Sequence, residues 1–314
     1  MDGDPVTPAD GDPGTVAGGH PPTAADGDAG IDRVGVLGCG QMGVGIAEVA
    51  GRAGLDVVLV GSSEQSLAAG RARLADSLRR AVERAVYDAA TAAAIHHRVL
   101  LTTDVGQLAD RQIVVETTVE DEQRKRQAFI LLDEVVKDPT AIFATNTSSI
   151  PVGNLAAAVS RPEQVVGTHF FHPVPVMPLV ELTAGLQTTT TTVRRTRQLL
   201  AQQLGKQVID APDRVGFVVN ALLVPYLMAA VRMAESGFAR PAEIDDAMVG
   251  GCRHPMGPLR LVDLIGLDVL ESVADALYAE FREPTHAPPP LLRRMVRAGR
   301  LGRKSGRGFY DYPV

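Results

Sequence analysis

The 314-residue chain is predicted to be an α/β protein: a mostly parallel sheet with helices on both faces, followed by an all-helical C-terminal domain. Three observations carry this prediction. A glycine-rich turn near residue 40 joins a β-rich run to a helical stretch, strand and helix signals alternate from there to residue 212, and after Pro212 the strand signals stop. With 45% hydrophobic and 22% charged residues the chain can bury a sizeable core, and its length suits two domains better than one.

Residues 1–30 consist of Gly, Pro, Asp, Ala and Thr with almost no large apolar side chain. That is too little to offset the entropy of ordering a backbone, so a disordered leader is expected. The leader also accounts for the charge. The formal net charge is −6, from 37 acidic and 31 basic residues, and the six acidic residues Asp2, Asp4, Asp10, Asp12, Asp26 and Asp28 lie in a leader without Lys or Arg. The folded body is then neutral, which argues against nucleic acid as a partner but allows a local patch for a phosphorylated ligand. The two cysteines, one of them Cys39 in the glycine turn, do not form a disulfide framework, and a reducing, cytoplasmic setting is expected. There is no export signal, and no run reaches the ~18 apolar residues of a membrane helix.

The elements follow in order. Residues 33–37 (Arg-Val-Gly-Val-Leu) read as a strand, 41–52 as a helix stopped by Gly54, and 56–60 as a second buried strand. Residues 64–98, rich in Ala, Leu and Arg at helical spacing, predict a long helix or a helical hairpin beside the sheet. Further strands are expected at 112–115, 141–145, 165–169, 179–183 and 207–209, with helices near 122–136, 150–159 and 192–204. Residues 218–235 are apolar on nearly every face, so that helix should be buried in the second domain or at a subunit interface. The boundaries are thus 31–212 for the sheet domain and 213–314 for the helical one.

Gly38, Gly40 and Gly43 fit the G-x-G-x-x-G pattern in its proper place between strand and helix. The first glycine serves the tight turn, the second lets the backbone approach a pyrophosphate, and the third lets helix and sheet pack closely; Gln41 and Met42 open the helix whose N-terminus faces the phosphates. This makes the sheet domain Rossmann-like and dinucleotide-binding. The tip of the second strand normally carries an acidic residue for the ribose hydroxyl, but here it reads Gly61, Ser62, Ser63. NADP(H) therefore stands beside NAD(H), with the serine hydroxyls and Arg52 or Arg71 as candidate phosphate donors. The alternative is that Glu64 or backbone groups hold the ribose.

In the stretch 168–182, His169 sits at a strand end and Glu181 lies within an apolar run. A buried carboxylate is costly unless paired, and one beside an imidazole raises its basicity and fixes its tautomer, which suits a base for an alcohol proton. Asn146-Thr147-Ser148-Ser149 follows a strand at the sheet edge where ligands of such folds bind. One serine there could face substrate, and Ser148 or Ser149 could equally cap the next helix.

Six ordered motifs together resemble the L-3-hydroxyacyl-CoA dehydrogenase family, including its bacterial 3-hydroxybutyryl-CoA dehydrogenases, from about Val34 to Tyr312. They are the 38–47 glycine motif, 146–149, His169-Phe170-Phe171 with Glu181, Gly216-Phe217-Val218-Val219-Asn220, Pro255-Met256-Gly257-Pro258, and the 301–310 segment. The resemblance implies His169 as catalytic base, Glu181 as its orienting carboxylate, and Ser148 and Asn220 as groups holding the substrate's reacting oxygens. It also implies Glu120, Lys125 and Asn146 near the cofactor, Ser77 and Arg84 on the coenzyme A portion, and a helical domain that forms a homodimer. No metal is implied, and the expected reaction is hydride exchange between a nicotinamide and a short 3-hydroxyacyl thioester.

The chain departs from the family pattern at four places. Besides Gly61, His172 stands for the usual Asn, Val215 for a Pro, and Ala221 for an Arg; His172 and Val215 are expected on the walls of the site. His172 could donate the hydrogen bond of the Asn or titrate in competition with His169. A His169/His172 metal site is disfavoured by Pro173 and the lack of a third ligand. Two other readings remain: a dehydrogenase acting on an acyl carrier protein thioester in a specialised pathway, and a cofactor-binding structural protein without turnover, against which the intact Ser148, His169, Glu181 and Asn220 argue.

Overall fold

The computed structural model describes residues 30–313. The leader expected over 1–30 falls, apart from Gly30, outside them. The chain builds β1 (Arg33–Leu37), α1 (Gln41–Arg52), β2 (Asp56–Val60), α2 (Glu64–Glu83), α3 (Ala89–Arg98), β3 (Val99–Thr102), β4 (Ile113–Glu116), α4 (Glu122–Val135), β5 (Ile142–Thr145) and α5 (Val152–Ala156). Then come β6 (Val165–Phe170), β7 (Leu179–Ala184), α6 (Thr190–Gln198) with a π-helical turn at Leu199–Gln203, and β8 (Gln207–Ala211). Five helices complete the fold: α7 (Val219–Glu235), α8 (Pro241–Cys252), α9 (Pro258–Ile265), α10 (Leu267–Phe281) and α11 (Pro290–Arg297).

The eight strands form one sheet in the order β3-β2-β1-β4-β5-β6-β7-β8. Every pairing is parallel except β6 with β7. The strand alternation sends side chains to two cores. Val57, Leu59, Ile113, Val115 and Ile142 meet α1, α2 and α3, while Val58, Val60, Val114 and Phe143 meet α4 and α5. A third core, around Leu227, Met228, Val231, Leu259 and Leu277, belongs to the C-terminal helices.

Of the two forms expected for 64–98, the hairpin is the one that forms, because Asp88 caps a new helix through Thr91 N after the turn at 84–88. The strand β3 that follows had no sequence signal, since Val99–Thr102 is only four residues long and continues directly from α3. The helix expected over 150–159 shrinks to five residues. Neither Ser148 nor Ser149 caps it: the carboxylate of Asp213, distant in sequence, accepts from Val152 N at 2.6 Å and Gly153 N at 2.9 Å. Among the described residues no helix is long and apolar enough to cross a membrane.

Two of the motifs that carry the family resemblance have a structural part. Asp245 is buried and accepts from Leu259 N, Arg260 N and the Tyr310 hydroxyl, and a side chain at Gly257 would overlap it. Asp263 likewise accepts from Phe309 N, Tyr310 N and the Tyr312 hydroxyl, with Gly308 packed against it. The first turn of α9, reached through Gly257, and the 301–310 segment thus supply backbone N–H groups to two buried carboxylates, which is how an apolar helical core tolerates them.

Candidate active site

The site is assembled at the C-terminal ends of β1, β4, β5 and β6. Gly38 has φ +122°, and a Cβ there would press on Thr117, so only glycine suits the turn. At Gly43 a Cβ would overlap the carbonyl oxygen of Gly38, so α1 can lie against β1 only without one. Gly40, by contrast, faces open space and is the N-cap of α1 without any side-chain cap. The first N–H groups of α1 are thus left for a ligand, and the turn fits a dinucleotide pyrophosphate.

At the tip of β2, Gly61 is buried, and a Cβ on it would meet Ser66 Oγ at 2.8 Å and Cys39 Sγ at 3.1 Å. Ser63 is spent in a capping box with Ser66, Glu64 accepts from Thr103 Oγ1 at 3.2 Å, and Ser62 is exposed. Arg52 is not a phosphate donor for this tip. It ends the 12-residue α1, ~18 Å along the helix from the glycine turn, and reaches the Tyr87 hydroxyl instead. Arg71 is exposed on α2.

His169 and Glu181 face each other in the antiparallel β6–β7 register, which places both side chains on one side of the sheet. His169 Nδ1 lies 2.6 Å from Glu181 Oε2, and the pair is 7% and 0% exposed. A carboxylate oxygen accepts, which makes Nδ1 the donor of this bond and Nε2 the lone-pair nitrogen of the neutral imidazole. The other oxygen, Glu181 Oε1, accepts from Val218 N and Val219 N at 2.9 Å each. These N–H groups open α7, whose N-terminal dipole favours the carboxylate. One side chain thus joins the imidazole to the helix that carries Asn220 in its first turn.

Phe171 and Phe217 stack on the His169 ring with centroids 4.5 and 5.6 Å away. Phe217 holds φ +47°, a strained backbone for a bulky side chain, and the strain aims its ring at the imidazole. Sequence reasoning gave Phe217 no such part, although its place after Gly216 was a signal.

The loop after β5 is tied to both neighbouring strands. Asn146 N donates to the Glu116 carbonyl, and Asn146 Oδ1 accepts from Phe170 N at 2.9 Å. Beyond it, Glu120 Oε1 accepts from Thr147 Oγ1 (2.5 Å), Ser148 N (2.8 Å), Ser149 Oγ (2.9 Å), Ser149 N (3.1 Å) and, at a long 3.4 Å, Ser148 Oγ. Burial opposes the Glu120 charge, but the Lys125 ammonium and hydrogen bonds from Thr147, Ser148 and Ser149 outweigh it and hold the carboxyl below its usual range. Lys125 itself is 1% exposed and bound to Glu116, a residue that sequence reasoning missed. Its signal was an acidic residue closing the apolar run Ile113-Val114-Val115.

A cavity of about 210 Å³ opens between α1, α2 and the 172–175 segment. Gln41, Glu48, Arg73, Ser77, Arg80 and His172 line it, whereas Arg84 stands exposed at the C-cap of α2 outside it. The segment is pinned from behind by buried Lys206, which donates to the carbonyls of Val174 (2.6 Å) and Met177 (2.8 Å). Although much of its surface is open, partial burial pushes the His172 imidazole below its ordinary value and favours its neutral form. Val215, expected on a wall, packs instead in the core of the C-terminal helices.

A dinucleotide-type turn, a mostly parallel sheet and a buried His–Glu pair across β6 and β7 define a nicotinamide-dependent dehydrogenase. Residues 33–214 match the family model for the 3-hydroxyacyl-CoA dehydrogenase NAD binding domain, and residues 216–312 that for the C-terminal domain. The chain belongs to the 3-hydroxyacyl-CoA dehydrogenase family. It is 53% identical over 282 residues to a 3-hydroxybutyryl-CoA dehydrogenase of Mycobacterium tuberculosis, covering 90% of this chain and 99% of that one. To the human mitochondrial hydroxyacyl-coenzyme A dehydrogenase it is 37% identical, covering 90% and 91%. Among solved structures, FadB2 of M. tuberculosis superposes with a TM-score of 0.90 at 53% identity (91% and 100% covered). The (S)-3-hydroxybutyryl-CoA dehydrogenase PaaH1 of Ralstonia eutropha superposes at 0.84 and 43% (90% and 100% covered).

Proposed function

We propose that the chain interconverts a short-chain, CoA-linked 3-hydroxyacyl thioester and its 3-oxoacyl counterpart, with His169 moving the proton. The observation that carries this reading is the His169–Glu181 pair, a buried imidazole whose Nδ1 is committed and whose Nε2 is the basic nitrogen. In oxidation Nε2 takes the 3-hydroxyl proton as the hydrogen on the same carbon departs as hydride; in reduction Nε2 returns it. NAD(H) bound at the glycine turn supplies the hydride acceptor or donor.

Glu181 meets the positive charge that develops on the ring. Ser148 and Asn220 hydrogen-bond the reacting oxygens, and the long bond from Ser148 Oγ to Glu120 supports a hydroxyl free to turn to substrate. Ser77, on the cavity wall, contacts the coenzyme A portion, and His172 donates a hydrogen bond as a neutral imidazole. Gly38, Gly40, Gln41, Met42 and Gly43 hold the pyrophosphate, with Glu120, Lys125 and Asn146 toward the nicotinamide. Gly61 and Ser62 present no carboxylate to the ribose, which supports NADP(H) as an accepted cofactor beside NAD(H).

The division into domains at 212/213 is supported by the separate helical core. Exposed Leu222, Val249 and Val269 on the C-terminal helices, with Phe238 on the loop between α7 and α8, support a homodimer through that domain. Free Cys39 and Cys252 support a cytoplasmic setting.

The test mixes purified protein with acetoacetyl-CoA and NADH, then NADPH, while nicotinamide absorbance is followed. Consumption with CoA substrate supports the proposal. Silence with CoA but activity on a carrier-protein thioester replaces it with the carrier-linked reading, and cofactor binding without turnover on either refutes a catalytic function.

A further inference from the structure

Ser148 stands on a loop, and a loop places a hydroxyl only as well as it is held. The side chain that gathers residues 147–149 is Glu120, itself on the solvent-facing segment between β4 and α4. The other Glu120 oxygen, Oε2, has one tie to the body of the domain, Lys125 Nζ at 3.3 Å. A lysine near an open segment extends toward water when it can. Here it does not, because Glu116 holds it with both oxygens, at 3.0 and 2.9 Å.

Glu116 is the last residue of β4, in register between Leu37 of β1 and Thr145 of β5, so its backbone is fixed by two parallel neighbours. Its carboxylate is 0% exposed and also accepts from Thr118 N (2.6 Å), Thr118 Oγ1 (2.6 Å) and Thr145 Oγ1 (2.8 Å). An ion pair buried this deeply is a poor source of stability, since desolvation offsets most of its attraction and an apolar pair would serve as well. What an apolar pair could not do is present a fixed ammonium to Glu120.

We propose that Glu116 is a positioning residue for the Ser148 hydroxyl, acting through Lys125 and Glu120. This rests on the reading of Ser148 as a substrate contact. The sheet fixes Glu116, Glu116 fixes the lysine ammonium, the ammonium fixes the Glu120 carboxylate, and that carboxylate sets the 147–149 backbone.

The test is a kinetic double-mutant cycle on the full chain, with acetoacetyl-CoA and NADH, over wild type, Glu116→Gln, Ser148→Ala and both together. Glu116→Gln is expected to lower kcat by roughly tenfold to a hundredfold, the size of effect that a small misplacement of a reacting group produces. The same substitution in the Ser148→Ala background should cost little more, because its effect passes through the missing hydroxyl. If Ser148→Ala is impaired and Glu116→Gln is either silent or fully additive with it, the positioning claim is overturned while the functional reading stands. If Ser148→Ala turns over like wild type, the functional reading of Ser148 fails first. Should Glu116→Gln fold poorly, Glu116→Met with Lys125→Met removes both members of the fully buried ion pair and leaves only the partly exposed Glu120 without its counter-charge. That pair is expected to keep the kcat loss, and restored turnover would mean that the ion pair only supports the fold.

Discussion

Replacing Glu181 by Gln changes one atom type in a carboxylate that is 0% exposed and has all its partners in place. It accepts from His169 Nδ1 at 2.6 Å through one oxygen and from Val218 N and Val219 N at 2.9 Å through the other. Glutamine offers one acceptor oxygen and one NH₂ group, so it cannot satisfy both sides. With the oxygen toward α7, the NH₂ group faces Nδ1 and forces the proton onto Nε2, which removes the base. With the oxygen toward His169, two backbone N–H groups face an NH₂ group at the start of α7. The first arrangement leaves fewer orphans and should prevail. Losing a positioned acid–base group costs roughly 10²–10⁴ in rate, about 3–5.5 kcal/mol of barrier. Three charge-assisted hydrogen bonds become neutral ones, at roughly 1 kcal/mol each, so unfolding free energy should fall by about 2–3 kcal/mol. The assay is steady-state reduction of acetoacetyl-CoA by NADH, with urea unfolding and NADH titration of the same samples. Near wild-type kcat in folded Glu181→Gln would show that the tautomer argument is wrong.

Gly43→Ala drives a methyl into the Gly38 carbonyl and against Thr117, and neither backbone can yield without moving α1 off the sheet. A loss of at least about 1–3 kcal/mol, together with NADH affinity, should appear in urea melts and titrations; an unchanged Kd would contradict the close-packing account. Gly61→Asp places a carboxylate at the β2 tip, where its Cβ meets Ser66 Oγ, Cys39 Sγ and Leu67 N and requires Ser66 to leave its capping box. The NADH over NADPH ratio of kcat/KM should rise by about tenfold, or ~1.4 kcal/mol, from repulsion of the 2′-phosphate; an unmoved ratio would place ribose recognition elsewhere.

Glu48 supplies a pH-dependent prediction. It is 1% exposed, Oε2 has no hydrogen-bond partner, and burial raises its pKa despite Ser77, Tyr87, Arg52 and Arg80. A carboxyl whose folded-state pKa is raised binds its proton more tightly in the native state. Its stabilising contribution is complete below the unfolded value of about 4.3 and is lost as pH rises through the folded one. Glu48→Gln should therefore raise Tm at neutral pH and lose that advantage in acid. A Tm difference independent of pH would show that the carboxyl is not the cause.

Much of this protein could be read without coordinates. The glycine turn, the strands on either side of it and the helix they launch are local consequences of propensity and spacing, and they appear where expected. Glu181 could be singled out because a carboxylate between Val180 and Leu182 must find a partner when the strand is buried. The all-round apolar 218–235 segment likewise announced the core of the second domain, in which Leu227, Met228 and Val231 are buried.

What the tertiary structure decided is who partners whom across long sequence gaps. Asp213 caps α5 from 61 residues away, which overturned the local reading of Ser148 and Ser149 as caps. The pairing of Glu116 with Lys125 is not legible until sheet order sets β4 between β1 and β5 and the two are buried together. Arg52 was excluded from the cofactor by the length of α1, and Val215 from the site by the packing of the helices. Chain spacing constrains neighbours within a turn or a strand pair, but a buried polar group takes whichever donor the assembled sheet brings within about 3 Å, and that is settled only when the layers close.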